Sequence, residues 1–277
     1  MAEHNFDSTS GDLAAFYDQI IDLQDRLLEL HPRIEAYINE EQMNEFLGKK
    51  RFWMQLLPFP LDPVRFNQDY LETAGFIIEA RPKVVGSISA ISALVGRLPI
   101  EELAEKALRL DMEYLAKTAE DGGVPAELFV FMLQNAIRPQ IRAWAEGLPK
   151  LNDRDNWQQP YCPVCGQEAI ISRIRPGDGQ RSLFCGHCFT EWDYRHLACP
   201  HCGNDEHESI NIIEIEGDRF NTIYACNKCR GYVKTLNERH GGKAGNLFTE
   251  GARTFYLDML AEREGYNNRR INKDSFN

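Results

Sequence analysis

The chain has 277 residues, of which 43% are hydrophobic and 26% are charged, and its formal net charge is −11. This length allows one large domain or two ordinary ones, and the acidic balance argues against a protein that binds nucleic acid through phosphate contacts. No cationic start followed by an apolar run opens the sequence, and its longest uncharged stretch, 84–96, is too short to cross a bilayer. We therefore expect a cytoplasmic protein with no membrane span and no nucleic-acid partner.

The first part of the chain predicts helices, and we expect residues 1–150 to form an all-α helical domain. Apolar residues recur at spacings of three and four from Leu13 to Leu30, which places them on one helix face, and Asp12 is the expected N-cap. Pro139 is expected to bend or split the last helix of this domain. The remaining helices are predicted over 34–47, 64–80, 83–97, 100–120 and 125–146.

Short strands are predicted to replace helices after the polar stretch 147–159. All eight cysteines lie in this second part, and each belongs to a C-x-x-C pair. The pairs are Cys162 with Cys165, Cys185 with Cys188, Cys199 with Cys202, and Cys226 with Cys229. In two consecutive blocks a C-P-x-C-G turn, a hairpin and a second C-x-x-C turn follow in the same order, so the blocks form an internal repeat. We expect metal modules over 160–196 and 197–240, then a C-terminal helix and tail over 245–277.

The repeat predicts how the cysteines are grouped, because each block supplies two pairs. One ion is expected on Cys162, Cys165, Cys185 and Cys188, and a second ion on Cys199, Cys202, Cys226 and Cys229. Four thiolates in tetrahedral geometry suit zinc and iron alike, so the cofactors are two metal ions per chain, iron or zinc. Thiols stay reduced in the cytoplasm, which favours metal ligands over disulfides. The expected fold is an all-α domain followed by two tandem rubredoxin-like or zinc-ribbon modules and a C-terminal helix.

Several other residues in this region are assigned structural roles. Gly166, Gly186 and Gly203 are expected to permit tight turns beside the cysteines. Trp192 and Tyr232, at matching positions of the repeat, are expected to be aromatic cores of the two modules. Solvated positions are expected for His187, His201, Arg173, Arg175, Arg181 and Arg195. No nucleotide-binding, metalloprotease or serine-hydrolase motif occurs in the sequence, so we expect no catalytic residues and no enzyme activity.

The cysteine motifs and their neighbours resemble one family. The matching segments are Cys162-Pro-Val-Cys165-Gly166, Cys185-Gly-His-Cys188 with Thr190-Glu-Trp192, Cys199-Pro-His-Cys202, Cys226-Asn-Lys-Cys229 with Tyr232-Val-Lys234, and Arg263-Glu-Gly-Tyr266. In these the chain resembles the formate dehydrogenase accessory protein FdhE family. The specific motifs lie in the C-terminal part, whereas the helical part matches in length and type only.

The resemblance implies a cytoplasmic maturation factor that binds the catalytic subunit of respiratory formate dehydrogenase before its export. It also implies rubredoxin-like modules associated with iron and held by all eight cysteines, and a homodimer is left open. Two alternatives remain from the residues themselves. The first is a rubredoxin-like redox or electron-transfer protein, and the second is a zinc-ribbon interaction protein.

Overall fold

The computed structural model of the chain describes residues 6–33, 35–149 and 157–267. The chain folds into two compact units. The helical unit comprises the described residues of Gln19–Ala36 and Phe59–Pro149, and the sheet unit comprises the other described residues. The segment Tyr37–Pro58 therefore belongs with the sheet unit, although it precedes residue 150 in the sequence.

The regular secondary structure of the described chain before residue 147 is helical. The α-helices are α1 (Phe6–Leu28), α2 (Glu40–Lys49), α3 (Trp53–Leu56), α4 (Pro63–Ala80), α5 (Val85–Val95), α6 (Ile100–Arg109), α7 (Met112–Asp121), α8 (Ala126–Glu146), α9 (Leu247–Arg253) and α10 (Phe255–Arg263). In the helical unit, α8 packs against α4, α6 and α7 and buries side chains on most of its surface. The helical character of this region confirms the predicted fold class of the N-terminal part.

Three helix boundaries differ from the sequence prediction. α1 begins at Phe6 rather than at an N-cap on Asp12, since no proline intervenes and one glycine costs only about 1 kcal/mol in a long helix. The predicted helix 34–47 begins only at Glu40, where the Asn39 side chain caps it. The predicted helix 100–120 is broken at Leu110, whose φ is 52°, and α7 restarts behind the N-cap Asp111. Pro139 does not split α8, which continues to Glu146.

The strands of the second part of the described chain form one six-stranded sheet in the order β3-β2-β1-β6-β5-β4. The strands are β1 (Ala169–Ile174), β2 (Arg181–Cys185), β3 (Glu191–Tyr194), β4 (Ile210–Ile215), β5 (Asp218–Cys226) and β6 (Tyr232–Asn237). Each half of the repeat is an antiparallel three-stranded meander. The halves join where β1 pairs in parallel with β6, and there the Ser172 and Thr235 hydroxyls lie 2.6 Å apart. This pairing gives β1 and β6 a hydrogen-bonded neighbour at sheet edges that would otherwise be unpaired.

The C-terminal helix packs on this sheet, but as two helices rather than one. The break is at Thr254, whose hydroxyl donates to the Glu250 carbonyl oxygen at 2.6 Å. Leu257 and Ala261 of α10 are fully buried against Ile223 of β5 and Tyr232 of β6. Hydrogen bonds beside this contact also join α10 to β6, because Asp258 of α10 accepts from the Tyr232 hydroxyl and from the buried Lys234 ammonium.

The connection between α2 and α3 is bonded directly to the first C-x-x-C turn. The amides of Trp53 and Met54 each donate to a carbonyl of this turn, those of Pro163 and Val164, at 2.9 Å. These amides are at the start of α3, where helix N–H groups need partners from outside the helix. The segment 50–54 therefore holds the backbone that carries Cys162 and Cys165.

The four C-x-x-C turns, here called knuckles, share one backbone geometry. In each knuckle the amide of the first cysteine donates to the carbonyl five residues on, and the amide four residues on donates back to the cysteine carbonyl. The residue four positions after the first cysteine has a positive φ in every case. These residues are Gly166 (74°), Phe189 (61°), Gly203 (71°) and Arg230 (58°). The expected role of Gly166 and Gly203 in a tight turn is thereby confirmed.

Gly186 does not belong to this set of left-handed residues. A Cβ atom at this position would lie 2.8 Å from Ile170 Cγ2, so its glycine is required by close packing against β1. Phe189 and Arg230 take the left-handed backbone without glycine, at a cost of about 1–2 kcal/mol each. In both of these knuckles the first cysteine is the last residue of a strand, Cys185 of β2 and Cys226 of β5.

Gly166 and Gly203 provide a matched pair of substitutions. Gly203→Ala introduces only the left-handed strain, about 1–2 kcal/mol, because an added Cβ meets nothing within 4 Å. Gly166→Ala should cost about 1–3 kcal/mol more, because its Cβ would lie 2.5 Å from Phe52 Cε1. Urea unfolding of the metal-loaded proteins measures the difference. Equal losses of stability would contradict the close contact of Phe52 with the knuckle.

Candidate metal centres

The first centre brings together the thiols of Cys162, Cys165, Cys185 and Cys188, all of them buried. The first two lie in the knuckle before β1, and the other two lie in the knuckle between β2 and β3. Sγ–Sγ distances are 3.4 Å from Cys162 to Cys188, 3.5 Å from Cys165 to Cys185, and 3.6 Å from Cys165 to Cys188. The hairpin of β1 and β2 sets these distances by placing the two knuckles side by side.

The second centre repeats this arrangement with Cys199, Cys202, Cys226 and Cys229. The Cys199 and Cys229 sulfurs are 3.6 Å apart, and those of Cys202 and Cys226 are 3.8 Å apart. This centre is less enclosed than the first, because Cys202 is exposed and Cys229 is half-buried. The structure thus groups the eight cysteines as the internal repeat predicts, within each block rather than across blocks.

The sulfur geometry fits a tetrahedral cation. A metal–sulfur bond of about 2.3 Å gives an edge of about 3.8 Å between sulfurs of a regular tetrahedron. In each centre all four sulfurs lie within 4.8 Å of one another, and the distances quoted above are near this edge. They are much longer than the S–S bond of a disulfide, about 2.05 Å. Four thiolates of this kind could hold either zinc or iron, each in a closed coordination shell.

Backbone amides point at one sulfur in every knuckle. The amides of Val164, His187, His201 and Gly231 each lie 3.4 Å from a cysteine sulfur two residues earlier. Such N–H groups favour the thiolate over the thiol, and they fix its orientation toward the centre. The Thr190 hydroxyl, which can donate to a thiolate, lies 3.1 Å from the Cys188 sulfur.

Ionisation differs among the thiols of a centre. Burial raises the pKa of the Cys162 and Cys165 thiols well above its ordinary value. Burial also opposes ionisation of Cys185, but hydrogen bonds from the neighbouring thiols outweigh it and hold the Cys185 pKa well below the ordinary value. In the second centre a hydrogen bond from Cys199 lowers the pKa of Cys229 to about 4. Cation binding must therefore displace protons from buried thiols such as that of Cys162.

The two knuckle histidines are not solvated, contrary to the sequence expectation. His187 is only 5% exposed. His201 has a side chain that is 3% exposed, and its Nε2 lies 2.7 Å from the Tyr232 carbonyl oxygen. On its other side, His201 Nδ1 lies 3.4 Å from the Glu168 carboxylate of the first block. Both histidine side chains are therefore buried beside their cysteines.

Arg181 is a second departure from expectation, since it is fully buried on β2. Its Nη1 donates to the carbonyls of His196 and Ala198, both at 3.0 Å, and its guanidinium lies 4.6 Å from the centroid of the Tyr224 ring. Ala198 directly precedes Cys199, and Tyr224 lies two residues before Cys226. Arg181 is therefore placed behind the two chain segments that enter the second centre.

No carboxylate pairs with Arg181 within the parts of the chain that the structure describes, and its Nη2 has no hydrogen-bond partner there. Burial lowers its pKa to about 10, which leaves the guanidinium charged at neutral pH. A buried cation is strongly unfavourable unless nearby negative charge offsets it. Four thiolates around a divalent cation carry a net charge of −2, so a loaded second centre would supply that charge.

The other three arginines are at the surface and take part in ion pairs. Arg173 pairs with Glu191 at 2.7 Å, Arg175 with Asp193 at 2.8 Å, and Arg195 with Asp205 at 2.6 Å. Trp192 and Tyr232 are buried, as predicted for aromatic cores.

Within residues 6–33, 35–149 and 157–267, no single helix combines the length and apolar composition of a membrane span, although the bent pair 82–95 and 100–109 does so jointly.

Comparison with known proteins points to one family. The family described as "FdhE, central domain" matches residues 161–196, which contain the whole first centre. A curated relative from Aquifex aeolicus, named "Protein FdhE homolog", is 24% identical over 260 residues, covering 90% of this chain and 86% of the relative. A second protein of that name, from Haemophilus ducreyi, is 25% identical and covers 92% of this chain and 80% of its own length.

The fold is also that of a solved structure. The crystal structure of the FdhE protein from Pseudomonas aeruginosa matches with a TM-score of 0.60 over 95% of this chain and 93% of the other, at 18% sequence identity. The similarity therefore extends across both units, beyond the cysteine-rich part that carries the sequence motifs. The matched motif residues, the curated relatives and the solved structure all indicate the FdhE family.

Proposed function

We propose that this protein is a cytoplasmic accessory factor that binds the catalytic subunit of formate dehydrogenase before its export and is not itself an enzyme. Similarity to proteins of the FdhE family supports the accessory role. The observation that carries the proposal is a pair of four-cysteine centres with the sulfur spacing of closed tetrahedral sites, built into one sheet. A closed four-thiolate shell leaves no coordination position for a substrate, which favours a scaffold over a metal-dependent hydrolase.

Each centre is proposed to hold one metal ion, iron or zinc, on its four cysteines. The metal supplies folding energy, because each meander alone is a small sheet with little core of its own. The chain supplies the rest of the site through the knuckle amides that stabilise thiolate charge, the buried packing of the first centre, and the Arg181 guanidinium behind the second.

A rubredoxin-like electron carrier is the second candidate, and one observation favours it. Cys202 is exposed and Cys229 is half-buried, so the second centre has a sulfur edge open to solvent, through which an electron could pass. This candidate requires iron with a reversible ferric–ferrous couple. Visible absorbance and a reversible wave in voltammetry of anaerobically purified protein would favour it, whereas a colourless protein with two zinc ions would exclude it.

Removing one ligand from either centre should remove one ion. Cys162→Ser and Cys226→Ser are each expected to lose about one metal equivalent per chain, because three remaining ligands leave an open site. Elemental analysis of the purified variants gives the count, and Ser182→Ala serves as a control for a buried substitution on the strand that carries Cys185. Two ions retained in either cysteine variant would contradict the grouping.

Arg181 should stabilise the loaded second centre. Arg181→Met is expected to weaken metal retention there by about tenfold or more, in line with other residues that support metal ligands. Arg181→Lys, which keeps the charge, should restore part of the loss, and Arg219→Met, at an exposed position, should have no effect. The measurement is metal release to a chromogenic chelator, followed in a Cys162→Ser background so that only the second centre contributes. Equal release from the Met and Lys variants would contradict a role for the charge.

The accessory role predicts a loss of formate dehydrogenase activity in a strain that lacks this gene. Wild-type protein supplied in trans should restore that activity and should retain the catalytic subunit in a pulldown from cytosol. The double variant Cys162→Ser/Cys226→Ser should do neither. Full activity in the deletion strain would rule out the accessory role, and activity restored without capture would rule out binding of the subunit.

A further inference from the structure

A cleft of about 520 Å³ opens in the sheet unit, beside both metal centres. One wall is the connection between α2 and α3, and the other wall comes from the knuckles that begin at Cys162 and Cys199. Its principal lining residues are Lys49, Lys50, Arg51, Phe52, Tyr161 and His201. Every lining residue belongs to the sheet unit, so its own packing defines the cleft.

The α2 side of the cleft is cationic in a protein that is acidic as a whole. Lys49, Lys50 and Arg51 are three consecutive cations, a run that occurs nowhere else in the sequence. One carboxylate, that of Glu45, serves two of them, at 2.6 Å from Lys49 Nζ and 2.5 Å from Arg51 Nη1. No carboxylate of the described chain lies within ion-pair distance of the Lys50 ammonium. Three positive charges therefore face one negative charge on this wall.

Beyond the cations, part of the cleft wall is apolar. Phe52 and Tyr161 form an edge-to-face pair with ring centroids 6.4 Å apart, and Pro160 and Pro200 extend this surface. Glu168 lies at the far side, where one of its carboxylate oxygens is 3.4 Å from His201 Nδ1. A bare anion such as phosphate would leave these apolar walls uncovered. A peptide that carries both carboxylates and apolar side chains can contact the cationic wall and the apolar surface together.

Both knuckles shape the cleft. The Tyr161 hydroxyl donates to the Lys50 carbonyl at 2.8 Å, and Gly166 packs directly under Phe52. Trp53 and Met54 are bonded to the same knuckle, as described above. The opposite wall is His201, which lies between two cysteines of the second centre. The positions of the cations and of the far wall therefore depend on the folding of both centres.

We propose that this cleft binds a short acidic segment of the client protein, and that it does so only when both metal centres are loaded. The identity of the client as the catalytic subunit rests on the proposed function. The carboxylates of the segment would lie against Lys49, Lys50 and Arg51, and its apolar side chains against Phe52 and Tyr161. A nucleic acid is disfavoured, because a polyanion longer than the cleft would meet an acidic surface.

Lys50 allows a test that separates charge from folding. Its φ is 56°, a backbone conformation that glycine adopts without strain. Lys50→Gly should therefore fold at least as well as the wild type while removing the ammonium. The probe is a short fluorescent peptide rich in aspartate, glutamate and tyrosine, titrated into metal-loaded protein by anisotropy. The reference peptide replaces the acids with asparagine and glutamine.

The wild type should prefer the acidic peptide, with an affinity that falls as salt is raised. Lys50→Gly should bind it up to about fivefold more weakly, and Lys50→Glu more weakly still. Lys243→Glu, a charge reversal at an exposed position outside the cleft, should bind as the wild type does. Metal-free protein and the Cys226→Ser variant should also lose affinity for the peptide.

Equal binding by the Lys50 and Lys243 variants, equal binding of the amide peptide, or tighter binding of a single-stranded oligonucleotide would each overturn the inference. A pulldown of the catalytic subunit with the same variants distinguishes failure of this inference from failure of the proposed function. If wild type and Lys50→Glu capture the subunit equally, the cleft is not the docking site although the accessory role stands. If the wild type captures nothing, the docking proposal fails, and the peptide titration still decides whether the cleft binds acidic segments.

Discussion

Convergence of four thiols on one point is the constraint around which the sheet unit is organised. Buried sulfurs at the edge lengths of a tetrahedron repel one another once ionised, and only a cation at their centre can offset that repulsion. Two hydrogen bonds and one left-handed residue in each knuckle create this convergence. The left-handed backbone is retained even where Phe189 and Arg230 make it costly, which indicates that the turn itself is required.

The two centres belong to one sheet, and this arrangement couples them. Parallel pairing of β1 with β6 connects the block of the first centre to the strand that follows the second. Arg181 of the first block supports the chain segments of the second centre, and His201 of the second block faces Glu168 of the first. The two blocks therefore share backbone and side-chain contacts, rather than packing only within themselves.

Local sequence was sufficient for much of this architecture. The C-x-x-C repeat predicted the grouping of the cysteines because a hairpin between two pairs must bring them together, and periodicity predicted most helices. Features that depend on contacts between residues far apart in the sequence were not predicted. Residues 37–58 look like part of the helical domain until Trp53 and Met54 are found bonded to the first knuckle. Acidic residues near Arg181 in the sequence predicted a solvated side chain. Arg181 is instead buried, because its guanidinium packs against the linker between the blocks and against Tyr224 of the second block.

Parallel pairing of the first strand with the last has a consequence for synthesis on the ribosome. Ser172 and Thr235, which meet across this joint, are separated by 63 positions in the chain. At about 5–20 residues per second, the free side of β1 waits roughly 3–13 s for its neighbour to emerge. During that interval the cysteines of the first block are already available to bind an ion, while an unpaired strand remains open to unwanted association. Early metal capture would give the nascent chain a folded block before its sheet can be completed.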